Sequence, residues 1–246
     1  FFDAEPRVQT FLTQLRGAYP DAQIYAWIEL SAEASDGYRL DREQVRVTAA
    51  SFSGRMISRL GFDGVLLDVK PLFAENDDFP ALLRAIRAEI GLDTPLLVTV
   101  PPDLTPSGTS LLLPEIIAPG TEWSTEYKER IGLQADTLII TAYNSYQSDP
   151  VGYMEWVAYQ VGVYTDAVRQ VGSGTQVVVS VPNYAEFLPA HDASVETIAG
   201  ALDGVVMGVR ALSEEDAPLF AGVALFSDTA LRDEDWRIYR EKWLSR

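Results

Sequence analysis

The chain has 246 residues, no cysteine, one histidine and a net charge of −17, from 19 basic and 36 acidic side chains. The missing cysteines exclude disulfides and thiolate zinc sites, and the single His191 excludes a metal site built on several imidazoles, so neither a metal nor another cofactor is expected. The acidic excess argues against nucleic acid or anionic membranes as partners, and no apolar run is long enough to span a membrane.

Short apolar runs alternate with longer amphipathic segments along the chain. Their spacing predicts six strands separated by helices, with an irregular insert over 101–123 that is rich in Pro, Gly, Thr and Ser. In chain order we predict a helix over 7–16, a strand over 23–30, a helix over 42–60, a strand over 65–70, a helix over 78–90, a strand over 95–100, a short helix ending near 133, a strand over 137–143, a helix over 152–171, a strand over 175–181, a helix over 195–212, a strand over 220–226 and a helix over 232–244.

This alternation predicts a parallel sheet covered by helices, hence an α/β fold. A TIM-type (β/α)8 barrel needs eight strands. The six strands therefore predict that N-terminal strand material is missing from this chain, with Phe1 and Phe2 ending a further strand of a longer product. An open, doubly wound parallel sheet is the alternative. In either case we expect residues 1–246 to form one domain, with its function at the carboxyl ends of the strands.

The strand over 65–70 carries two opposite charges on one face. The period-2 pleat puts Leu66, Asp68 and Lys70 on one side and three aliphatic residues on the other. Because the aliphatic side must face the helices, Asp68 and Lys70 are predicted to point inward. They form either a compensated structural ion pair or part of an active site in which each charge tunes the other.

Aromatic and polar side chains gather at the predicted strand ends. Aromatic rings with a few polar groups suit a sugar, whose C–H faces stack on the rings while its hydroxyls form hydrogen bonds. Each aromatic residue taken alone is also compatible with simply filling the mouth of a barrel. The residues predicted to line this pocket are Trp27, Glu29, Tyr143, Asn144, Asn183, Tyr184, Phe226 and Asp228.

The segment GFDGVLLDVKP at 61–71 resembles the fourth-strand signature of the family 18 glycoside hydrolases, the chitinase-like barrels, whose pattern is G-F-D-G-x-D-x-D-x-E. ITAYN at 140–144, VPNY at 181–184 and GVALF at 222–226 resemble the sixth-, seventh- and eighth-strand segments of that family in order. The resemblance runs from about Gln23 to the C terminus and is closest to a bacterial branch. It implies a barrel, a carbohydrate partner such as an N-acetylglucosamine-containing glycan, and a secreted or cell-surface location, with a cytoplasmic one left open.

The departures from the signature bear on activity. Family members protonate the glycosidic oxygen with the signature Glu, while the N-acetyl oxygen of the substrate attacks and the preceding Asp orients that group. Asp63, Asp68 and Tyr143 match the family pattern, but Lys70 stands at the position of the Glu. In addition, Leu66 replaces an inner Asp and Phe226 replaces the eighth-strand Trp. The resemblance thus implies a catalytic set of Asp68, Lys70 and Tyr143, with Asp63 in substrate binding, and a site that is impaired by the mechanism of the family.

Two alternative interpretations predict an active enzyme instead of an impaired one. A relocated carboxylate could replace the lost acid, and the candidates are Glu29, Glu75, Asp77 and Asp78. Alternatively, Lys70 could act as a Schiff-base nucleophile or electrophile, as in a lysine-dependent lyase or decarboxylase. The D-x-K motif at 68–70 resembles that of the orotidine-phosphate decarboxylase group, which requires an Asp where this chain has Phe73.

His191 lies in a polar loop beside Asp192. We predict that it is a solvated loop histidine, with contact to a substrate as the alternative. It carries no further prediction, because a lone histidine without a metal-ligand or nucleophile pattern specifies no chemistry.

Overall fold

The computed structural model describes residues 5–34, 37–103, 122–183, 188, 190–226 and 230–245. The predictions for Phe1, Phe2, Tyr184 and Asp228 lie outside the described residues. The helices are α1 (Glu5–Ala18), α2 (Glu43–Arg55), α3 (Asp78–Ile90), α4 (Thr125–Gly132), α5 (Pro150–Val171), α6 (Ile198–Ala211) and α7 (Asp233–Tyr239). The strands are β1 (Tyr25–Ser31), β2 (Glu33–Ala34), β3 (Gly37–Tyr38), β4 (Gly64–Lys70), β5 (Leu96–Val100), β6 (Thr137–Thr141), β7 (Gln176–Val181) and β8 (Phe220–Leu225).

Six strands hydrogen-bond in the order β1-β4-β5-β6-β7-β8. β1 pairs in parallel with β4, β4 with β5, and β7 with β8. The predicted α/β fold with a parallel sheet is therefore confirmed. Within the described residues the sheet is open, with β1 and β8 at its two ends, so a closed barrel is not seen. No helix among these residues is both long enough and apolar enough to cross a membrane.

All six predicted strands are present, with local differences elsewhere. The helix predicted over 42–60 is α2 followed by one π-helical turn, Met56–Leu60, which ends at Gly61 in the left-handed region (φ 76°). The short antiparallel hairpin of β2 and β3 was not predicted from the sequence. In this hairpin, burial raises the pKa of Tyr38 to about 12, and the carboxylates of Asp78, Asp41 and Glu33 add to the effect.

The chain forms two compact units. Among the described residues, the first unit comprises the chain up to Leu72 together with Asn76–Thr99 and Gln134–Thr137. Its core includes the aliphatic face of β4 and the apolar stripe of α3, and full burial of each such side chain contributes about 1.5–3 kcal/mol. The residues of this core, all at most 2% exposed, are Val65, Leu67, Val69, Phe79, Leu82, Leu83 and Ile86.

The second unit comprises Phe73–Glu75, Val100–Leu133 and Leu138–Arg246. Its two longest helices, α5 and α6, approach closely at a glycine. A Cβ atom on Gly204 would lie 2.5 Å from the carbonyl oxygen of Met154 and 2.8 Å from the Cβ of Val157. Position 204 therefore has no room for a side chain.

A buried ion pair holds the chain that leaves β5. The Lys128 side chain is 3% exposed, and its Nζ lies 2.7 Å from Oδ2 of Asp103 and 5.5 Å from the ring centre of Tyr164. Gln160 binds both the amide and the carbonyl of Asp103, at 2.8 and 2.7 Å. Burial raises the pKa of Tyr164 well above its usual value, and the Asp103 carboxylate adds to the effect. These contacts fix the start of the 101–123 insert.

Candidate functional site

Asp68 lies at the carboxyl end of β4, on the face that the pleat predicts. Its side chain is 1% exposed, and each of its two oxygens accepts a hydrogen bond. Thr99 Oγ1 donates to Oδ1 at 2.6 Å, and Lys70 Nζ donates to Oδ2 at 2.8 Å. The Lys70 side chain is 56% exposed. The carboxylate is therefore fixed by one internal donor and one donor that faces solvent.

β1 adds an aromatic and an acidic side chain to the same face of the first unit. Its register places Trp27 opposite Leu66 and Glu29 opposite Asp68. Because paired residues in neighbouring strands share a face, Glu29 lies on the Asp68 side of the sheet. Trp27 is 53% exposed and Glu29 is also exposed. A flat apolar ring and a carboxylate are thus both accessible on this strand.

Tyr143 and Phe226 meet in the second unit. Their ring centres are 5.3 Å apart at an interplanar angle of 64°, an edge-to-face contact. Tyr143 follows β6 on the face of Thr141, and the alternate residues Ile140 and Ala142 are fully buried. The structure thus brings these two predicted residues together, with Tyr143 9% exposed.

The chain after β6 is held by a buried carboxylate. Asn144 has φ 58°, in the left-handed region. Its amide donates to Glu196 Oε2 at 2.9 Å, and the amide and hydroxyl of Ser145 donate to Oε1 at 2.7 and 2.6 Å. His191 Nδ1 lies 2.5 Å from Glu196 Oε2, and both side chains are fully buried.

The prediction of a solvated His191 is therefore wrong, since the residue is 2% exposed. The loop that carries it turns inward. His191 pairs with Leu188 through two backbone hydrogen bonds of 3.0 Å. The next residue, Asp192, caps a turn by accepting bonds from the amide and hydroxyl of Ser194, and these bonds lower the pKa of Asp192. The polar composition gave no sign of this burial, because the contact of His191 with Glu196 forms only in the folded chain.

Asn183 also lies in the second unit. It is 9% exposed and lines a cleft of about 410 Å³ beside the first turns of α6 and α7. Glu196, which accepts the amide of Asn144, lines the same cleft. The other residues around the cleft include Thr197, Ile198, Arg232 and Asp235.

Asp63 is not brought to the carboxyl end of β4. It precedes the strand, where Oδ2 accepts the amide of Ile24 at 2.7 Å and Oδ1 pairs with Arg16 at 2.9 Å. Asp68 is five residues further along an extended strand, about 16 Å away at 3.3 Å per residue. The structure thus gives Asp63 a role in joining β1 to β4.

Two of the loop acids proposed as a replacement acid are held in other contacts. Asp78 pairs with Arg46 at 2.8 Å, and Glu75 accepts the hydroxyl of Ser124 at 2.6 Å. Glu29, directly opposite Asp68, is the candidate whose position on the sheet is defined.

Sequence reasoning missed three residues of these clusters. Thr99 is the polar residue on the inward face of β5, so strand alternation could have identified it. Ser145 and Glu196 offered no such signal, because they are 51 residues apart in the chain and meet only through folding.

No protein-family model matches the sequence, and no curated protein matches it. Solved structures are similar in fold. The spore cortex-lytic enzyme SleL of Bacillus megaterium QM B1551 has a TM-score of 0.60 at 12% identity, over 93% of this chain and 61% of that enzyme. A class V chitinase of Pseudomonas fluorescens Pf-5 has a TM-score of 0.58 at 12% identity, over 94% and 83%. A chitinase of Rhizomucor miehei has 0.57 at 16% identity, over 96% and 86%.

These structures confirm, at the level of the fold, the predicted resemblance to family 18 chitinase-like proteins. The chain spans about three fifths of the length of the SleL of Bacillus megaterium (61%) and of the SleL of Bacillus cereus (62%). At such low identities the likeness concerns the architecture, and the chemistry must be argued from this chain's own side chains.

Proposed function

We propose that this protein binds a glycan containing N-acetylglucosamine and does not hydrolyse it by the substrate-assisted route. Lys70 is the central residue of this proposal, since the motif resemblance aligns it with the catalytic Glu. Trp27 of β1 supplies an exposed aromatic surface for stacking, while the proton donor of a working enzyme is replaced by an ammonium group.

The observation that carries the proposal is the double engagement of Asp68. Substrate assistance needs this carboxylate to orient the N-acetyl group of the sugar. Here Thr99 at 2.6 Å and Lys70 at 2.8 Å each donate to one of its two oxygens, so the substrate would compete with two existing partners. An ammonium is also a far weaker acid than a carboxylic acid, and loss of a general acid typically costs about two to four orders of magnitude in rate. Both changes oppose hydrolysis.

The fold and the exposed aromatic residue support a carbohydrate ligand. Two of the structural neighbours are named chitinases. Trp27 offers an exposed ring on the face of Asp68, and edge-on or stacked contact with a ring is how proteins hold the apolar face of a sugar. Because a spore cortex-lytic enzyme is among the structures of similar fold, the proposal also favours an extracytoplasmic setting.

The test is calorimetric titration with N-acetylchitotetraose, alongside hydrolysis of a chromogenic chitobioside. We expect measurable affinity without product. Product released by the unmodified protein and lost in Asp68→Asn would overturn the proposal, as would absence of binding to oligomers of two to six sugars.

Substitutions at position 70 separate the effect of charge from that of chemistry. Lys70→Glu supplies a carboxylic acid, whereas Lys70→Gln removes the positive charge without supplying an acid. We expect turnover above background only in Lys70→Glu. Equal turnover in both variants would mean that releasing Asp68, and not restoring the acid, is what the site lacks.

One observation favours a second candidate, a hydrolase with a relocated acid. Glu29 is exposed and lies opposite Asp68 in the register of β1 and β4. This reading predicts slow product release by the unmodified protein that disappears in Glu29→Gln and persists in Glu33→Gln, a matched exposed control. A lysine-dependent lyase is less well supported, since a Schiff-base lysine needs a desolvated amine and Lys70 is 56% exposed and ion-paired.

A further inference from the structure

The face of the sheet that carries Asp68 has one carboxylate without a cationic partner among the residues that the structure describes. Asp68 itself is paired with the ammonium of Lys70 at 2.8 Å, so its charge is balanced on that face. Glu29 lies opposite Asp68 in the register of β1 and β4, is exposed, and makes no ion pair within the described part of the chain. The face therefore has an uncompensated negative charge at Glu29.

Trp27 stands next to this carboxylate on the same strand. The two residues alternate with the buried Ala26 and Ile28, so both side chains lie on one face, with their Cα atoms about 6.6 Å apart at 3.3 Å per residue. Trp27 is 53% exposed, and the residue opposite it on β4 is the half-buried Leu66. β1 is an end strand of the described sheet, so a ligand can reach Trp27 and Glu29 from the side without a neighbouring strand.

An exposed aromatic ring beside a free carboxylate attracts a cation in two ways. The face of the indole attracts an ammonium group through its quadrupole, and the carboxylate attracts it through its charge. A neutral acetamide lacks the charge on which both attractions depend. In addition, Asp68, which would orient an acetamide in the substrate-assisted route, already accepts hydrogen bonds from Thr99 and Lys70. This face thus favours an amine over an acetamide on the sugar that stacks on Trp27.

We propose that Trp27 and Glu29 select a hexosamine whose amino group is free, so that the glycan bound by this protein is partly de-N-acetylated. The inference rests on the proposed function and narrows the substrate class of the same site. The sugar ring stacks on Trp27, its ammonium group pairs with Glu29, and N-acetylated sugars occupy the neighbouring positions of the glycan. Lys70 does not oppose this contact, because its positive charge is balanced by Asp68.

The test compares the calorimetric affinity for chitotetraose, the glucosamine tetramer whose amino groups are all free, with that for N-acetylchitotetraose. Both titrations are done at pH 6, where the amino groups of the sugar are protonated. Exposed ion pairs and cation–π contacts each contribute about two- to fivefold. We therefore expect chitotetraose to bind about tenfold more tightly at about 20 mM salt, and less than about threefold more tightly at about 500 mM, because salt screens exposed charges.

Three controls separate a defined site from attraction to a chain of net charge −17. Glu29→Gln keeps the size of the side chain and removes its charge, so the ratio of the two affinities should fall to about twofold or less. Glu155→Gln removes the same charge at an exposed position of α5, in the second unit, and should leave the ratio near tenfold. Spermine has four ammonium groups but no sugar ring, and it should bind at least about tenfold more weakly than chitotetraose.

Equal or weaker affinity for chitotetraose, or a preference for it that persists in Glu29→Gln, would overturn the inference and leave the proposed function standing. Spermine that binds as tightly as chitotetraose would also overturn it, since the sugar ring would then contribute nothing. Binding of chitotetraose alone, lost in Glu29→Gln, would support selection of the amine and overturn N-acetylglucosamine as a ligand. A protein that binds neither tetrasaccharide overturns both proposals.

Discussion

The carboxylate of Asp68 has two partners of different kinds, a hydroxyl inside the protein and an ammonium that faces solvent. Their contributions to stability can therefore be compared on one side chain. Thr99→Val removes the donor at 2.6 Å, and Lys70→Met removes the ammonium at 2.8 Å. Hydrogen bonds to charged groups contribute about 1.5–3 kcal/mol. Water cannot replace Thr99, because Asp68 is 1% exposed. We expect Thr99→Val to lower the free energy of unfolding by about 2 kcal/mol.

The expected loss for Lys70→Met is smaller. Its side chain is 56% exposed, so water can take the place of the ammonium beside Oδ2. Solvent-exposed ion pairs contribute about 0.2–1 kcal/mol. Lys70→Met should therefore lower the free energy of unfolding by less than about 1 kcal/mol. The order of the two losses, more than their sizes, is the prediction.

Urea denaturation at pH 7, followed by far-ultraviolet circular dichroism, measures both losses. Repeating each substitution in an Asp68→Asn background gives the coupling of each partner to the charge. A loss for Lys70→Met that equals or exceeds that for Thr99→Val would refute the reasoning. It would mean that the ammonium behaves as a desolvated partner of the carboxylate.

Three further predictions concern stability. Gly204→Ala should lower the free energy of unfolding by about 1–3 kcal/mol, because a methyl group has no room there. Gly162→Ala, with no atom within 4 Å of the added Cβ, should instead stabilise the helix, and equal melting temperatures of the two variants would contradict this. Lys128→Met should lower the free energy of unfolding by about 3–5 kcal/mol, because it leaves a largely buried carboxylate without its cation. Lys242→Met removes a lysine whose side chain is 35% exposed and should lower it by less than about 1 kcal/mol, a difference that urea denaturation measures. Because the pKa of Tyr38 is raised to about 12, its contribution to stability is complete below pH 10 and is lost between pH 10 and 12. The difference in free energy of unfolding between the unmodified protein and Tyr38→Phe should therefore shrink from pH 9 to pH 11. A constant difference would show that the hydroxyl does not titrate in this range.

What the sequence predicted well depends on local periodicity. The pleat of β4 placed Asp68 and Lys70 on one face and the aliphatic residues on the other, as observed. The apolar stripe of α3 is buried for the same reason, since residues three and four apart share a helix face. The hairpin of β2 and β3 was missed because two-residue strands are too short to show a period.

What the sequence could not predict depends on distant pairs. Thr99 reaches Asp68 across 31 residues, and Glu196 reaches Asn144 across 52. His191 appeared solvated because its neighbours are polar, yet its ring is buried against the carboxylate of Glu196. Asp63 was assigned to the pocket by motif likeness alone, although its position before β4 puts it at the other end of the strand. Motif likeness identifies a segment, but the pleat and the register decide where each side chain lies.

The charge at position 70 changes what the rest of the site must do. A carboxylic acid at position 70 would stand beside Asp68, and Glu29 lies opposite Asp68 in the register of β1 and β4. The negative charges of these neighbours would favour the protonated form of that acid, which is the form that a general acid requires. Lys70 instead places a positive charge there, and its ammonium pairs with Asp68. In the proposed function, Lys70 would act against proton transfer in two ways: it stands in place of the proton donor, and it pairs with the carboxylate that would orient the N-acetyl group. The exposed ring of Trp27 does not depend on that charge, so the proposed stacking on a sugar does not require hydrolysis.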